Sequence, residues 1–184
     1  MQALLAAAGL TADDVEIVTY PDFGHGVAVA EGQVDAAIGF LNNEPVQLTR
    51  AGRAVNVITI DNVAPLPGPG LVVGRATLES KREALRAFTA ATLRAMEEII
   101  ADPQRGLAAT FARVPELAVD PDTQLAVLKA TVEAWQSDTT RASGLGSIDM
   151  ETWKSALDIM TSLPDSVVVE PPTLDQLVTE QLLP

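Results

Sequence analysis

Residues 34–45, VDAAIGFLNNEP, decide how this chain is read. Val34, Ala36, Ala37 and Ile38 make a short apolar run that ends at Gly39 and Phe40. Its length and its bounded ends predict a buried strand of a parallel sheet. Asn42, Asn43 and Glu44 follow at once, three side chains rich in donors and acceptors, and Pro45 suits the first turn of a helix. In an open α/β sheet ligands bind beyond the carboxyl ends of the strands. Asn-Asn-Glu stands in that place.

Outward from this stretch the pattern alternates. Residues 2–8 read as a helix closed by Gly9, with Leu10 as the apolar contact that often follows such a cap. Neither a capping side chain nor a basic leader precedes that helix, so the chain reads as starting inside a helix begun upstream. Residues 15–19, VEIVT, alternate as a strand. The loop over 20–26 holds Tyr20, Phe23 and His25 among one proline and two glycines. Tyr20 and Phe23 either line a pocket or cover the top of the sheet, and His25 is either a backbone-bonded loop residue or a functional one. A short helix over 27–31 stops at Gly32, the strand over 33–40 follows, and a helix over 44–51 closes at Gly52. Residues 55–60, VNVITI, give the clearest strand. The alternation of helix and strand predicts an α/β fold with a parallel, three-layer arrangement.

Residues 61–70, DNVAPLPGPG, change composition abruptly and predict a crossing between two lobes. A short strand over 71–73 comes next, and from there the pattern is helical. Ser80 and Glu83 read as a capping box for a helix with Leu85, Phe88, Thr92, Ala95, Met96 and Ile99 on one face. A helix over 104–114 follows, and Asp120 with Pro121 opens another whose inner face is Leu125, Leu128, Val132 and Trp135. Residues 137–147 read as a polar loop. Asp149 caps a helix carrying Met150, Trp153, Leu157 and Met160, and Thr173 with Gln176 caps a final segment over 174–183. Both tryptophans sit at helical spacing with Leu and Met and read as core.

At 184 residues, 47% apolar and 20% charged, the chain has room for one good core or two small lobes. A net charge of −13 opposes nucleic acid and anionic membrane surfaces as partners. With no cysteine and one histidine, a disulfide framework, thiol chemistry and a zinc site are not expected. There is no nucleophile elbow, phosphate loop or GxGxxG; SGLGS at 143–147 has the wrong arrangement. No catalysis, cofactor or metal is expected. Glu44 then reads in two ways. It is a carboxylate in the first turn of a helix, worth about 0.3–1 kcal/mol through the dipole. Alternatively, with Asn42 and Asn43 it fixes the N–H groups of a flat polar heterocycle while an aromatic ring stacks on the ligand's face.

The succession ALLAAAGL, VEIVTY, AEGQVDAAIGFLNNEPVQL, GLVVG, LRAFTAATLRAMEEIIADP, AVLKATVEAWQSD and the terminal LLP resembles the C-terminal two-thirds of bacterial ABC-transporter substrate-binding proteins. The group most like it binds thiamine pyrimidine precursors and riboflavin. The resemblance implies a type II periplasmic-binding-protein fold, two lobes with three-layer sheets that close on a ligand about a hinge. It implies no chemistry beyond delivery to ABC permease membrane subunits, outside the cytoplasm. Residues 1–61 would be the second, ligand-closing lobe, 62–70 the hinge crossing, and 71–184 the C-terminal, mainly helical part of the first lobe. Such proteins carry a further N-terminal segment with most of the first lobe's sheet, so that segment or a second chain would complete the fold. The ligand, riboflavin or a thiamine pyrimidine precursor, would meet Glu44, Asn42, Asn43 and Phe40, with Tyr20 and Phe23 in a loop less like the family. Two other readings stay open: a pyrimidine-precursor synthase-like enzyme of the same fold, which needs a histidine-rich substrate loop, and an effector-binding regulatory module.

Overall fold

The computed structural model describes residues 1–20, 24–163, 168 and 170–184. Helices form where the sequence supplies their ends. α1 (Gln2–Ala7) is closed by Gly9 at φ 71°, with the Leu10 N–H donating to the Leu5 carbonyl at 2.8 Å. That is the glycine closure expected from the sequence, and it needs the left-handed backbone that glycine adopts without a Cβ clash. α2 (His25–Ala30) and α3 (Glu44–Arg50) end in the same way at Gly32 and Gly52. α4 (Arg75–Ser80), α5 (Arg82–Ala101), α6 (Pro103–Arg113) and α7 (Pro121–Trp135) follow. Two Asp-Pro pairs start α6 and α7. Asp102 Oδ1 accepts from the Gln104 and Arg105 N–H groups, and Asp120 Oδ1 accepts from the Thr123 N–H at 3.0 Å. The prolines at the first helical position lack an N–H that would otherwise be orphaned. α8 (Asp138–Ser143), α9 (Met150–Ser162) and α10 (Leu174–Leu177) complete the order, and Asp149 Oδ1 caps α9 through the Glu151 and Thr152 N–H groups.

The strands expected at 15–19, 33–40, 55–60 and 71–73 do not form within the chain, and the sheet of the expected three-layer arrangement is not seen: among the described residues there is no strand. The backbone is extended at Val15 (φ −137°, ψ 146°) and at Thr59 (φ −83°, ψ 140°), as β-branched residues favour. Extension alone is not a strand. A strand needs a neighbour about 4.8 Å away to take its N–H and C=O groups, and among the described residues none is supplied. Ile17, Ile38, Ile58 and Leu71 stand exposed in consequence, and Val72 is fully so.

Three local readings also change. Ser80 does not cap α5; it ends α4, its Oγ donating to the Ala76 carbonyl at 2.6 Å, and Lys81 takes the capping position. The run at 75–80 is itself a competent helical turn and claims the serine first. Residues 137–147 contain α8, because Ser137 Oγ accepts from the Thr140 N–H at 3.2 Å and starts a helix that Gly144 ends. The last helix is shorter than expected, although the Thr173–Gln176 capping box is present.

α5 packs on α6, α6 on α7, and α7 on α3. Buried apolar residues are small or few: Ala28, Ala64, Leu107, Val132 and Ala156. The accessible surface is 13108 Å2 for 19.4 kDa, against about 8,500 Å2 for a folded monomer of that mass. The extended segments contribute to that excess through side chains such as Ile58 and Val72. Among the described residues no helix is long and apolar enough to cross a membrane.

Gly106 sets the approach of α6 to α5, since a Cβ there would lie 2.6 Å from Ile99 Cγ1. Helix propensity alone would make Gly106→Ala stabilising by about 1 kcal/mol. We expect the clash to win, with a net loss of about 1–2 kcal/mol in urea unfolding.

Candidate functional site

Glu44 opens α3, directly after the turn that follows Phe40. Its carboxylate is drawn back over that turn rather than out to solvent. Oε2 accepts from the Phe40 N–H at 2.7 Å, so the side chain satisfies a backbone donor that a sheet partner would otherwise take. Oε1 accepts from Asn43 Nδ2 at 3.2 Å and lies 3.1 Å from His25 Nε2 at the start of α2. An ionised carboxylate only accepts, so Nε2 carries the proton in this contact. Asn43 is held in turn by Gln47 Nε2, which donates to its Oδ1 at 2.7 Å.

Two glycines make room for the carboxylate. A Cβ on Gly39 would stand 2.8 Å from Glu44 Oε2, and one on Gly26 would stand 3.4 Å from Glu44 Cγ. Any side chain at 39 would push the carboxylate off the Phe40 N–H. The His25 and Glu44 side chains are 21% and 14% exposed, which places the pair in a half-dry setting where hydrogen bonds to charge are strong. Burial pushes Glu44 up, but its own N–H, the Phe40 N–H, Asn43 and His25 outweigh that and hold its carboxyl below the usual glutamate range.

Of the residues singled out from the sequence, the structure brings together Glu44, Asn43 and the backbone of Phe40. Phe40 as a residue is 61% exposed. Asn42 points elsewhere, its Nδ2 donating to Thr131 Oγ1 on α7 at 2.8 Å. Tyr20 donates to Gln33 Oε1 at a long 3.5 Å and is not joined to Glu44. Phe23 lies outside the described residues. His25, left open by the sequence, is a partner of the carboxylate, and Gly26 and Gly39 form its cradle. The glycines beside the chain's single histidine and before Phe40 were the available signal. Two apolar hollows of about 360 and 330 Å3 lie away from this cluster, beside Leu66 and Met160. Their linings lack the convergent polar groups that fix a polar ligand.

A depressed carboxyl stabilises the fold above its unfolded value and loses that contribution as pH falls through the folded value. The reference for Glu44 is 4.5, so its share is intact at neutral pH and is lost below about 4.5. In urea unfolding at a series of pH values, Glu44→Gln should cost about 1–3 kcal/mol at pH 7. It should also flatten the acid limb below pH 4.5. Asp14, Asp120 and Asp149, also lowered by their capping bonds, keep part of that limb in the variant.

Residues 1–106 match the family model described as NMT1/THI5 like. The chain is also similar to the riboflavin-binding protein RibY of Chloroflexus aurantiacus, 31% identical over 183 residues. That alignment covers 99% of this chain and 51% of RibY, so the chain spans about half the length of this relative. No solved structure matches the chain.

Proposed function

The chain belongs to the NMT1/THI5-like family, and we propose that it works there as a solute-binding component, taking a flat nitrogen heterocycle of the riboflavin or aminopyrimidine kind. The observation that carries this reading is the 31% identity to a riboflavin-binding protein running over 99% of the chain. The site is compatible with it. Glu44 offers a held carboxylate for ligand N–H groups, Asn43 a mixed donor and acceptor, and the exposed Phe40 ring a stacking face. Asn43 meets Glu44 Oε1 at 3.2 Å, and a ligand N–H would take its place there. Tyr20 and Phe23 would flank the ligand from the preceding loop, and Asn42 would act from behind the wall.

In this reading the fold is the two-lobed, type II periplasmic-binding arrangement, with 1–61 as the closing lobe, 62–70 as the hinge and 71–184 as the helical part of the other lobe. The exposed extended segments would be paired by strands of further polypeptide, from an N-terminal segment or a second chain. The protein would serve an ABC importer outside the cytoplasm and pass its ligand to the permease. The binding role is favoured over the pyrimidine-precursor synthase-like alternative because the chain has a single histidine, already engaged by Glu44.

Riboflavin is fluorescent when free, and binding beside an aromatic ring quenches it. Titration should show saturable quenching, weakened about 10-fold or more in Glu44→Ala, as expected for a lost hydrogen bond to charge. Calorimetry that detects neither riboflavin nor an aminopyrimidine binding to the protein would end this reading.

A further inference from the structure

We propose that Thr131 and Thr123 of α7 are positioning residues for the Glu44 site, clasping α3 at both ends and fixing its rotation. The inference rests on the reading of Glu44 as the ligand anchor. α3 has seven residues, none of them buried, so neither its own length nor a core contact fixes how it is turned about its axis. Polar contacts at its two ends do so. Asn42, just before the helix, donates from Nδ2 to Thr131 Oγ1 at 2.8 Å. Arg50, its last residue, donates from Nε to Thr123 Oγ1, also at 2.8 Å.

The two contacts share one register. Asn42 to Arg50 spans as many positions as Thr123 to Thr131, and the pairs run in opposite order, so α3 lies antiparallel on α7. Thr123 to Thr131 measures about 12 Å at helical rise. The Thr131 hydroxyl donates to the Val127 carbonyl at 2.8 Å, which commits its hydrogen inside α7 and leaves its lone pairs for Asn42. Turning α3 about its axis would break both contacts and carry Glu44 away from His25 and the Phe40 N–H. Asn42 is therefore spent on holding the wall rather than on reading the ligand.

The test uses Thr131→Val, nearly isosteric and outside the carboxylate's own hydrogen bonds, with Thr131→Ser as the conservative control and Arg50→Met as a probe of the other end. His25 is the single histidine, so its imidazole resonances are unambiguous in NMR. The clasp predicts that Thr131→Val and Arg50→Met each move the His25 resonances in the direction produced by Glu44→Gln, while Thr131→Ser leaves them in place. Riboflavin should bind about 2–10-fold more weakly to Thr131→Val, the range of one hydrogen bond. Adding Asn42→Ala to Thr131→Val should cause little further loss. Unmoved His25 resonances in Thr131→Val, or losses that multiply in the double variant, would overturn the clasp. If the parent protein fails to quench riboflavin, the ligand reading fails alone and the His25 resonances still decide the clasp.

Discussion

The bond from the Phe40 N–H to Glu44 Oε2 is the constraint around which the N-terminal half is arranged. It ties the end of an extended segment to the start of a helix through a side chain, where a sheet would have used a backbone carbonyl. The carboxylate can do this because Gly39 and Gly26 leave it space and because His25 and Asn43 share its charge. α2 and α3 are each too short to persist alone, and the carboxylate is what binds one to the other.

α7 ties this cluster to the helical half. The longer helices α5, α6 and α7 supply most of the regular packing, with Leu107 and Val132 among their few buried side chains. α3 rests on α7 through polar bonds at its two ends rather than through a core of its own. Such a contact is specific in direction but modest in strength, since each net hydrogen bond adds only about 0.5–1.5 kcal/mol.

What the sequence made legible was local. Asp120-Pro121 and Asp149 announce helix starts, and Gly9, Gly32 and Gly52 announce ends, because capping is settled within a few residues. Ser80 misled for the same reason, as two helical turns compete for it and only one can have it. The strands misled differently. VEIVT and VNVITI carry the right side chains, but pairing is a non-local event that no window of sequence contains. Glu44 stood out through its polar neighbours, whereas its partner His25 lies 19 positions away and the anchor of Asn42 lies 89 away.

The central claim is that the Glu44 carboxylate holds the backbone at Phe40 in place of a strand partner. Amide hydrogen exchange at Phe40 tests it most directly, because that N–H has no ladder to protect it. The account predicts that the Phe40 amide exchanges far more slowly than those of Ala37 and Ile38, and that Glu44→Ala abolishes the difference. Equal exchange at Phe40, Ala37 and Ile38 in the parent protein, or protection at Phe40 that survives Glu44→Ala, would contradict it.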